Sequence, residues 1–559
     1  MNEQIEVKVS GRVMVRGEVR GGVLVAELAL RALTWANEAG LSSCKEGSRR
    51  VFDVPAVLVP SLVDKLMVVL SPQETDALRE RLSPLLRLAG EQALHHANLR
   101  ATVLDRLNTQ PVQDEALMPF QRDGVGWLLA AQGVGLVADD MGLGKTAQAL
   151  AWMRHAGVRR TVVVAPASVA LNWCREAARF HPEVTAVPLL KQVDMDRFAQ
   201  APPSEPWMAV LTWDGLRRMW GSLASMEQPP EAIVADEAHY AKSLEAQRTR
   251  ALLWLGSMVK HRVLLSGTPM RNRPRELFPL LHLLDPAQFP CFVPYGERYC
   301  GPKLQRFGMR YVRTYDGATN PEELNMLLRP HMIRRMKSEV LTQLPPKQVQ
   351  RLPLPVDGGI QRRMKAAMQV LRTEQHEGGN RGLGMVTQLR QEVGMAKVDA
   401  ALEWLESLRV AEEPAVLFCH HLAVLDALTT ACRGKGWRHA VIAGDTPLKA
   451  RQQAVADFQS GEVDVLLATE AAREGITLTR SAYLAFVEYF WVPGDMQQAA
   501  DRVWRISQER EVFITVLHLE GSLDDHVAKV IERKTKVIET VQDNRSVEAE
   551  IIRELLEAP

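Results

Sequence analysis

The sequence predicts an α/β chain: two parallel-sheet lobes with helical and basic insertions between them, preceded by a small domain of strands and then helices. Three observations carry that prediction. Short apolar runs alternate with helical stretches over residues 112–285, and the alternation returns over 397–545. The runs are continuously apolar, as in strands buried on both faces, and such strands belong to parallel sheets covered by helices on each side. A chain of 559 residues, 46% hydrophobic and 24% charged, has material for several cores, which excludes wholesale disorder.

The first segment, residues 1–108, is expected to form an accessory domain. Its alternating stretches Ile5–Val9, Val13–Val19 and Val51–Val59 predict strands, and residues 61–108 predict helices. Ser71-Pro72-Gln73-Glu74 reads as a helix start, with Ser71 as cap, Pro72 in the first turn and Glu74 closing a capping box. Pro84 and Gly90 are expected to interrupt that helical stretch.

The first lobe, 112–285, is predicted to have strands at Val134–Ala138, Thr161–Ala165, Met208–Leu211, Ala232–Ala235 and Arg262–Leu265. The second, 397–545, repeats the pattern at Ala415–Cys419, His439–Ala443, Val463–Ala468, Ala482–Val487 and Val512–Leu517. It closes on an amphipathic helix, Asp524–Val541, with one stripe of Val527, Val530, Ile531, Val537, Ile538 and Val541. Between the lobes, 286–396 reads as an insertion and linker. From Gly296 to Gln350 it carries ten Lys/Arg against five Asp/Glu, a local excess of +5 on a chain of net charge +1. Residues 546–559 predict a final helix, with an apolar stripe along Val547–Leu556.

The near-neutral total argues against a uniformly basic nucleic-acid binder, so any basic surface is local. Six cysteines, none spaced as a zinc knuckle, point to reduced thiols and a cytoplasmic chain. The N-terminus lacks the pattern of a secretory signal, and no run of 18 apolar residues suggests a membrane span.

The candidate chemistry begins where Val134–Ala138 runs into Asp139-Asp140-Met141-Gly142-Leu143-Gly144-Lys145-Thr146 and a helical stretch. A glycine turn at a helix start aims backbone N–H groups and the helix dipole at phosphate oxygens. Lys145 would reach the β and γ phosphates and Thr146 would ligate Mg²⁺. The strict pattern has Gly where Asp139 stands. Ala232–Ala235 then leads into Asp236-Glu237, carboxylates at a strand's C-terminal end, where α/β sheets bind ligands. Asp236 would hold Mg²⁺, and Glu237 would orient or deprotonate the attacking water. Arg502 and Arg505, three apart on a predicted helix, suit the charge of a transferring phosphoryl group. Taken alone, Asp-Glu also fits a solvated strand end, and the arginine pair also fits a salt-bridged helix face.

These motifs, in this order over roughly 112–545, resemble those of Swi/Snf-type DNA translocases of helicase superfamily two. Leu117-Met118-Pro119-Phe120-Gln121 resembles the family's adenine-side motif, with Gln121 on adenine. The 139–146 segment resembles its phosphate loop. Pro166-Ala167-Ser168 with Asn172-Trp173, and Thr212-Trp213, resemble motifs that touch the DNA backbone. Ser266-Gly267-Thr268-Pro269 resembles the motif coupling hydrolysis to domain movement. Thr469 with Glu474-Gly475-Ile476-Thr477-Leu478-Thr479, and Asp501 to Gln508, resemble motifs five and six; Trp504, Ser507 and Arg473 depart from them. Arg273-Pro274-Arg275-Glu276-Leu277, Met332-Ile333-Arg334-Arg335-Met336-Lys337 and Phe418-Cys419-His420-His421 resemble the annealing-helicase branch and its bacterial and phage relatives.

The resemblance implies RecA-like lobes, with ATP and Mg²⁺ held by residues 139–146, Gln121, Asp236 and Gly475. It implies a DNA-stimulated ATPase moving on duplex or branched DNA, reannealing strands or remodelling forks, as in DNA repair. Ser168, Thr212, Thr469, Arg334, Arg335 and Lys337 are its candidate phosphate contacts, so binding would be weakly sequence-specific. Trp173, Trp213 and Trp504 are either base-stacking or core residues. Two other functions remain open. One is an ATP-driven remodeller of a protein–DNA complex, such as a polymerase on its template, meeting a protein partner through 1–108. The other is a nucleotide-switch DNA-binding scaffold. A bacterial or phage chain would work at the nucleoid.

Overall fold

The computed structural model describes residues 4–9, 12–20, 23–28, 43–46, 49–55, 58–67, 70, 72–105, 110–307, 310–341, 343–363, 366, 381–473, 476–505 and 507–542. Ser71, the motif-five pair Glu474-Gly475 and the stripe Val547–Leu556 lie outside them. The chain divides into two units. One holds Met1–Asp140, Gly144–Pro302 and Tyr315–Arg335; the other holds Met141–Leu143, Lys303–Thr314 and Met336–Pro559.

The first unit opens on a five-stranded antiparallel sheet. The predicted strands appear as Gln4–Val9, Arg12–Arg20 and Arg49–Pro55, and Val23–Leu28 and Ser43–Glu46 join them. Helices Val59–Met67, Pro72–Arg81 and Ser83–Asp105 follow. The helical stretch is interrupted at Pro84 as expected: one helix ends at Arg81 and the next starts at Ser83. Pro84 sits in the first turn of Ser83–Asp105, where a missing N–H costs nothing. Gly90 is carried inside that helix with open space around its Cα.

The principal sheet of the first unit has seven parallel strands. Their order is Met332–Ile333, Val134–Val137, His261–Leu265, Ala232–Asp236, Arg160–Ala165, Trp207–Thr212 and Thr185–Leu189. Successive residues of one strand feed opposite cores: Val162 and Val164 pack on one side, Val163 and Ala165 on the other. Two-sided burial is why these segments are apolar without alternation. All five runs predicted for this lobe are strands. Thr185–Leu189 and Met332–Ile333 are additional, one at each sheet edge.

The second unit contains a six-stranded parallel sheet. Its order is Lys347–Leu354, Val512–Leu519, Tyr483–Phe486, Ala415–Cys419, Val465–Thr469 and His439–Ile442. Val416 and Phe418 face one core, and Ala415, Leu417 and Cys419 the other. The amphipathic helix is observed as Leu523–Gln542, with Val527, Ile531 and Val541 buried.

The described residues of 286–396 are divided between the two units. Met332–Ile333 belongs to the first sheet, and Lys347–Leu354 pairs along its whole length with Val512–Leu519 of the second. No described helix is long and apolar enough to cross a membrane.

Candidate nucleotide-hydrolysis site

In parallel sheets, loops at the C-terminal strand ends gather the polar side chains. The first unit follows that rule. Val137 pairs with Leu265, and Leu265 with Asp236, so the loop after residue 138, Ser266 and Asp236 leave the sheet side by side.

The loop turns through Gly142 (φ 82°) and Gly144 (φ 71°), both left-handed, and the helix Lys145–His155 begins at once. Gly144 also has a packing reason. A Cβ there would fall 2.3 Å from Gln121 Nε2, so the Gln121 amide lies against the loop. Gln121 is buried, and its Oε1 accepts from Met118 N at 3.0 Å. Lys145 Nζ donates to the Asp139 carbonyl at 2.7 Å and the Asp140 carbonyl at 3.2 Å. Burial pushes its pKa down, while Glu237, Asp139, Asp236 and Asp140 oppose that shift.

Asp139 has a clear structural reason to differ from glycine. Its fully buried carboxylate takes Arg335 Nε at 2.9 Å on one oxygen, and Arg335 Nη2 and Gln148 Nε2 (2.9 Å) on the other. Arg335 also reaches the Phe120 carbonyl and Gln148 Oε1. The strand at 332–333 makes this possible: Asp140 N donates to the Arg335 carbonyl, keeping the two segments in register.

Asp236 ends the central strand. Trp173 Nε1 donates to its Oδ2 at 2.9 Å, and the Glu237 amide donates to its Oδ1 at 2.9 Å. Trp213 Nε1 donates to its backbone carbonyl at 3.2 Å. Burial, reinforced by the neighbouring Glu237 charge, pushes Asp236 up to about 7, against the pull of Trp173 and Lys145. Glu237 adopts φ 50°, a left-handed conformation uncommon for a side chain of this size. Its Oε2 lies 3.3 Å from His239 Nδ1, and His239 Nδ1 lies 3.0 Å from Ser266 Oγ. Asp236 and the Thr146 hydroxyl are oxygen donors of the type a hard divalent cation takes beside phosphate oxygens and water. Among the described residues no three His, Cys, Asp or Glu side chains form a protein-only metal cage.

In the second unit the arginine pair is not on a helix. The helix Pro493–Ala500 ends first; Arg502 N and Val503 N then donate three residues back, to the Ala499 and Ala500 carbonyls, and the Arg502 carbonyl accepts from Leu478 N. Arg502 and Arg505 lie in the following turns, and both donate to the Ile476 carbonyl, at 3.3 and 3.1 Å. Arg505 also holds Thr477 Oγ1 at 2.7 Å, and burial beside Arg502 lowers its pKa to about 10.

The basic segment is placed differently from its expectation as a phosphate grip. Arg334 donates to the carbonyls of Ala138 (2.9 Å) and Gly267 (3.0 Å). Arg335 is spent on Asp139. Lys337 is fully buried, ion-paired with Asp501 at 2.8 Å and bonded to the Trp504 carbonyl. Each has an internal partner, with Lys337 fully buried and Arg334 and Arg335 half-buried. Ser168 is half-buried just before the helix Ala170–Phe180. The Thr212 hydroxyl caps Trp213–Ala224 by accepting from Gly215 N, and Thr469 is buried at a strand end. Trp173 and Trp213 are buried core residues. Trp504 lies between Lys337 and Lys347 and donates to the Pro345 carbonyl. The roles of Trp173, His239 and Gln148 were not legible in sequence, since each acts through a partner on another element.

Two family models cover most of the chain: the SNF2-related domain over residues 120–394 and the helicase conserved C-terminal domain over 396–507. The chain belongs to the SNF2-related family. Each of its two units holds one parallel sheet, of seven and of six strands. This SNF2-related chain is 32% identical over 452 residues to the DNA annealing helicase and endonuclease ZRANB3 of Mus musculus, covering 79% of the chain and 41% of the relative. It is 34% identical over 432 residues to the SWI/SNF-related matrix-associated actin-dependent regulator of chromatin subfamily A-like protein 1 of Xenopus tropicalis, covering 76% and 44%. The chain thus spans less than half the length of these relatives. It is also similar, at 22% identity and a TM-score of 0.39, to the Sulfolobus solfataricus SWI2/SNF2 ATPase core in complex with dsDNA, over 80% of this chain and 99% of that one.

Proposed function

We propose that this chain is a DNA-stimulated ATPase that moves along duplex or branched DNA. One observation supports this above the others: the hydrogen bond from Trp173 to Asp236. Trp173 stands on the helix after Pro166-Ala167-Ser168, a candidate backbone-contact motif, and Asp236 is the candidate metal carboxylate. Trp213, next to Thr212, supports the same strand end. A grip on DNA at Ser168 or Thr212 therefore has a one-bond route to the hydrolytic centre, and DNA stimulation requires such a route.

Residues 139–146 cradle the phosphates, with Gln121 beside the loop for the base. Thr146 and Asp236 would hold Mg²⁺, which neutralises phosphate charge when bound. Glu237 orients the water and accepts its proton. Arg502 and Arg505 are the candidates for stabilising charge on the transferring phosphoryl group, a role that can carry ~10³–10⁵ in rate. Gly475 and Thr469 are proposed to serve nucleotide and DNA backbone respectively. Residues 1–108 are proposed to be an accessory domain. The annealing activity named for the ZRANB3 relative suggests a branched track.

The test is ATP turnover by the purified chain alone and with single-stranded, duplex and forked DNA, beside Lys145→Ala. Stimulation by duplex or forked DNA that Lys145→Ala abolishes is the expected result. Equal turnover with and without every DNA would overturn the reading.

A further inference from the structure

The basic insertion contains one element that the hydrolytic chemistry does not use. Lys303–Phe307 and Arg310–Thr314 form an antiparallel ribbon of two strands that belongs to neither parallel sheet. Lys303 pairs with Thr314, Leu304 with Arg313, Gln305 with Val312 and Arg306 with Tyr311. Directly opposed residues share a face, so Leu304, Arg306, Tyr311 and Arg313 occupy one side. All four are exposed, Leu304 at 64% and Tyr311 at 65%. The other side exposes Gln305 and Val312.

A two-stranded ribbon is marginally stable alone, and grouped exposed apolar side chains on it call for an occupant. Charge identifies the occupant. Residues 303–314 carry Lys303, Arg306, Arg310 and Arg313 and no acidic residue, on a chain of net charge +1. An anionic polymer fits that imbalance. A duplex offers its phosphates but keeps its bases stacked inside, which leaves Tyr311 and Leu304 without a role. An unpaired strand offers phosphates to guanidinium groups and a base face to an aromatic ring.

We propose that this ribbon binds single-stranded DNA, with Arg306 and Arg313 on phosphates and Tyr311 stacked on an unpaired base. In the motor reading, on which only its setting rests, the ribbon holds the unpaired strand of a branched track.

The experiment is fluorescence anisotropy of the full chain, without nucleotide, on labelled single-stranded and duplex DNA of equal length across a salt series. Arg306→Ala with Arg313→Ala should weaken single-strand binding about tenfold or more and flatten its salt dependence, by roughly 0.7 in slope for each phosphate no longer neutralised. Tyr311→Ala should weaken it at least about fivefold with the salt slope kept, and Tyr311→Trp should retain it. Duplex affinity and duplex-stimulated turnover should stay at wild-type values. Single-strand affinity unchanged in both alanine variants, or an equal loss on duplex, would overturn the proposal. Wild-type turnover indifferent to duplex DNA would instead count against the motor reading, and the anisotropy result would still decide the ribbon.

Discussion

Two carboxylates at the ends of parallel strands have opposite fates. Asp236, in the first unit, is driven up to about 7 by burial and by the charge of Glu237. Glu488, just beyond Tyr483–Phe486 in the second, is buried as well, yet lies below its usual range. Burial raises it too, but one of its oxygens accepts the His420 and His421 amides, at 2.8 and 2.9 Å, and the other lies 2.6 Å from His421 Nδ1. Its charge is answered within the protein. Asp236 has an indole and one amide beside a second carboxylate, and its charge is answered only in part. The difference separates a carboxylate satisfied within the fold from one that the proposed function assigns to Mg²⁺.

This contrast can be broken at either end. The largest effect is expected at Asp236. Asp236→Asn should lower DNA-stimulated turnover by about 10³ or more, about 4 kcal/mol of barrier, with a melting temperature near wild type. A large drop in melting temperature would show that Asp236 is structural as well. Glu488→Gln should do the reverse, costing about 2–3 kcal/mol of stability in denaturant titration while turnover per folded molecule changes little. Glu488 also sets a pH dependence. A carboxylate depressed in the folded state stabilises above its unfolded pKa, and that contribution is lost as pH falls through the folded value. Thermal melts should therefore show a shallower acid limb in Glu488→Gln; superimposable limbs would remove Glu488 from the balance.

The smaller effects sharpen the comparison. Trp173→Phe keeps the ring and removes the donor. Turnover should fall about tenfold, with a raised Mg²⁺ requirement and little change in ATP affinity. Steady-state kinetics across a magnesium series checks this, and wild-type values would show that the bond carries nothing. Thr212→Val should cost about 1 kcal/mol through loss of the helix cap, read by chemical denaturation.

Legibility in the sequence followed burial. All ten apolar runs predicted for the two lobes are strands, because a strand covered on both faces must be apolar throughout. In these two parallel sheets the strands that escaped are edges, although the edge His439–Ile442 was found. Thr185–Leu189 is half exposed and holds Pro188, Met332–Ile333 is two residues long, and Lys347–Leu354 alternates between exposed and half-buried positions. The phosphate-loop residues and Asp236-Glu237 could be proposed from sequence because the residue types that carry the proposal stand in local order along the chain. The inward turn of Arg334, Arg335 and Lys337 was not, since their partners Ala138, Asp139 and Asp501 are more than 160 residues away along the chain. Nor was the end of the helix before Arg502, where the chain tightens into turns with bonds three residues back.

The clamp on Asp139 has a consequence for how this loop can change over generations. Asp139 and Arg335 stand 196 residues apart, yet with Gln148 they form a single electrostatic object. A lineage that restores glycine at 139 strands a guanidinium against Phe120 and Gln148. One that loses Arg335 first leaves a fully buried carboxylate at the head of the glycine turn without its guanidinium. Either step alone passes through a damaged intermediate, so the three positions are expected to be inherited, and replaced, together.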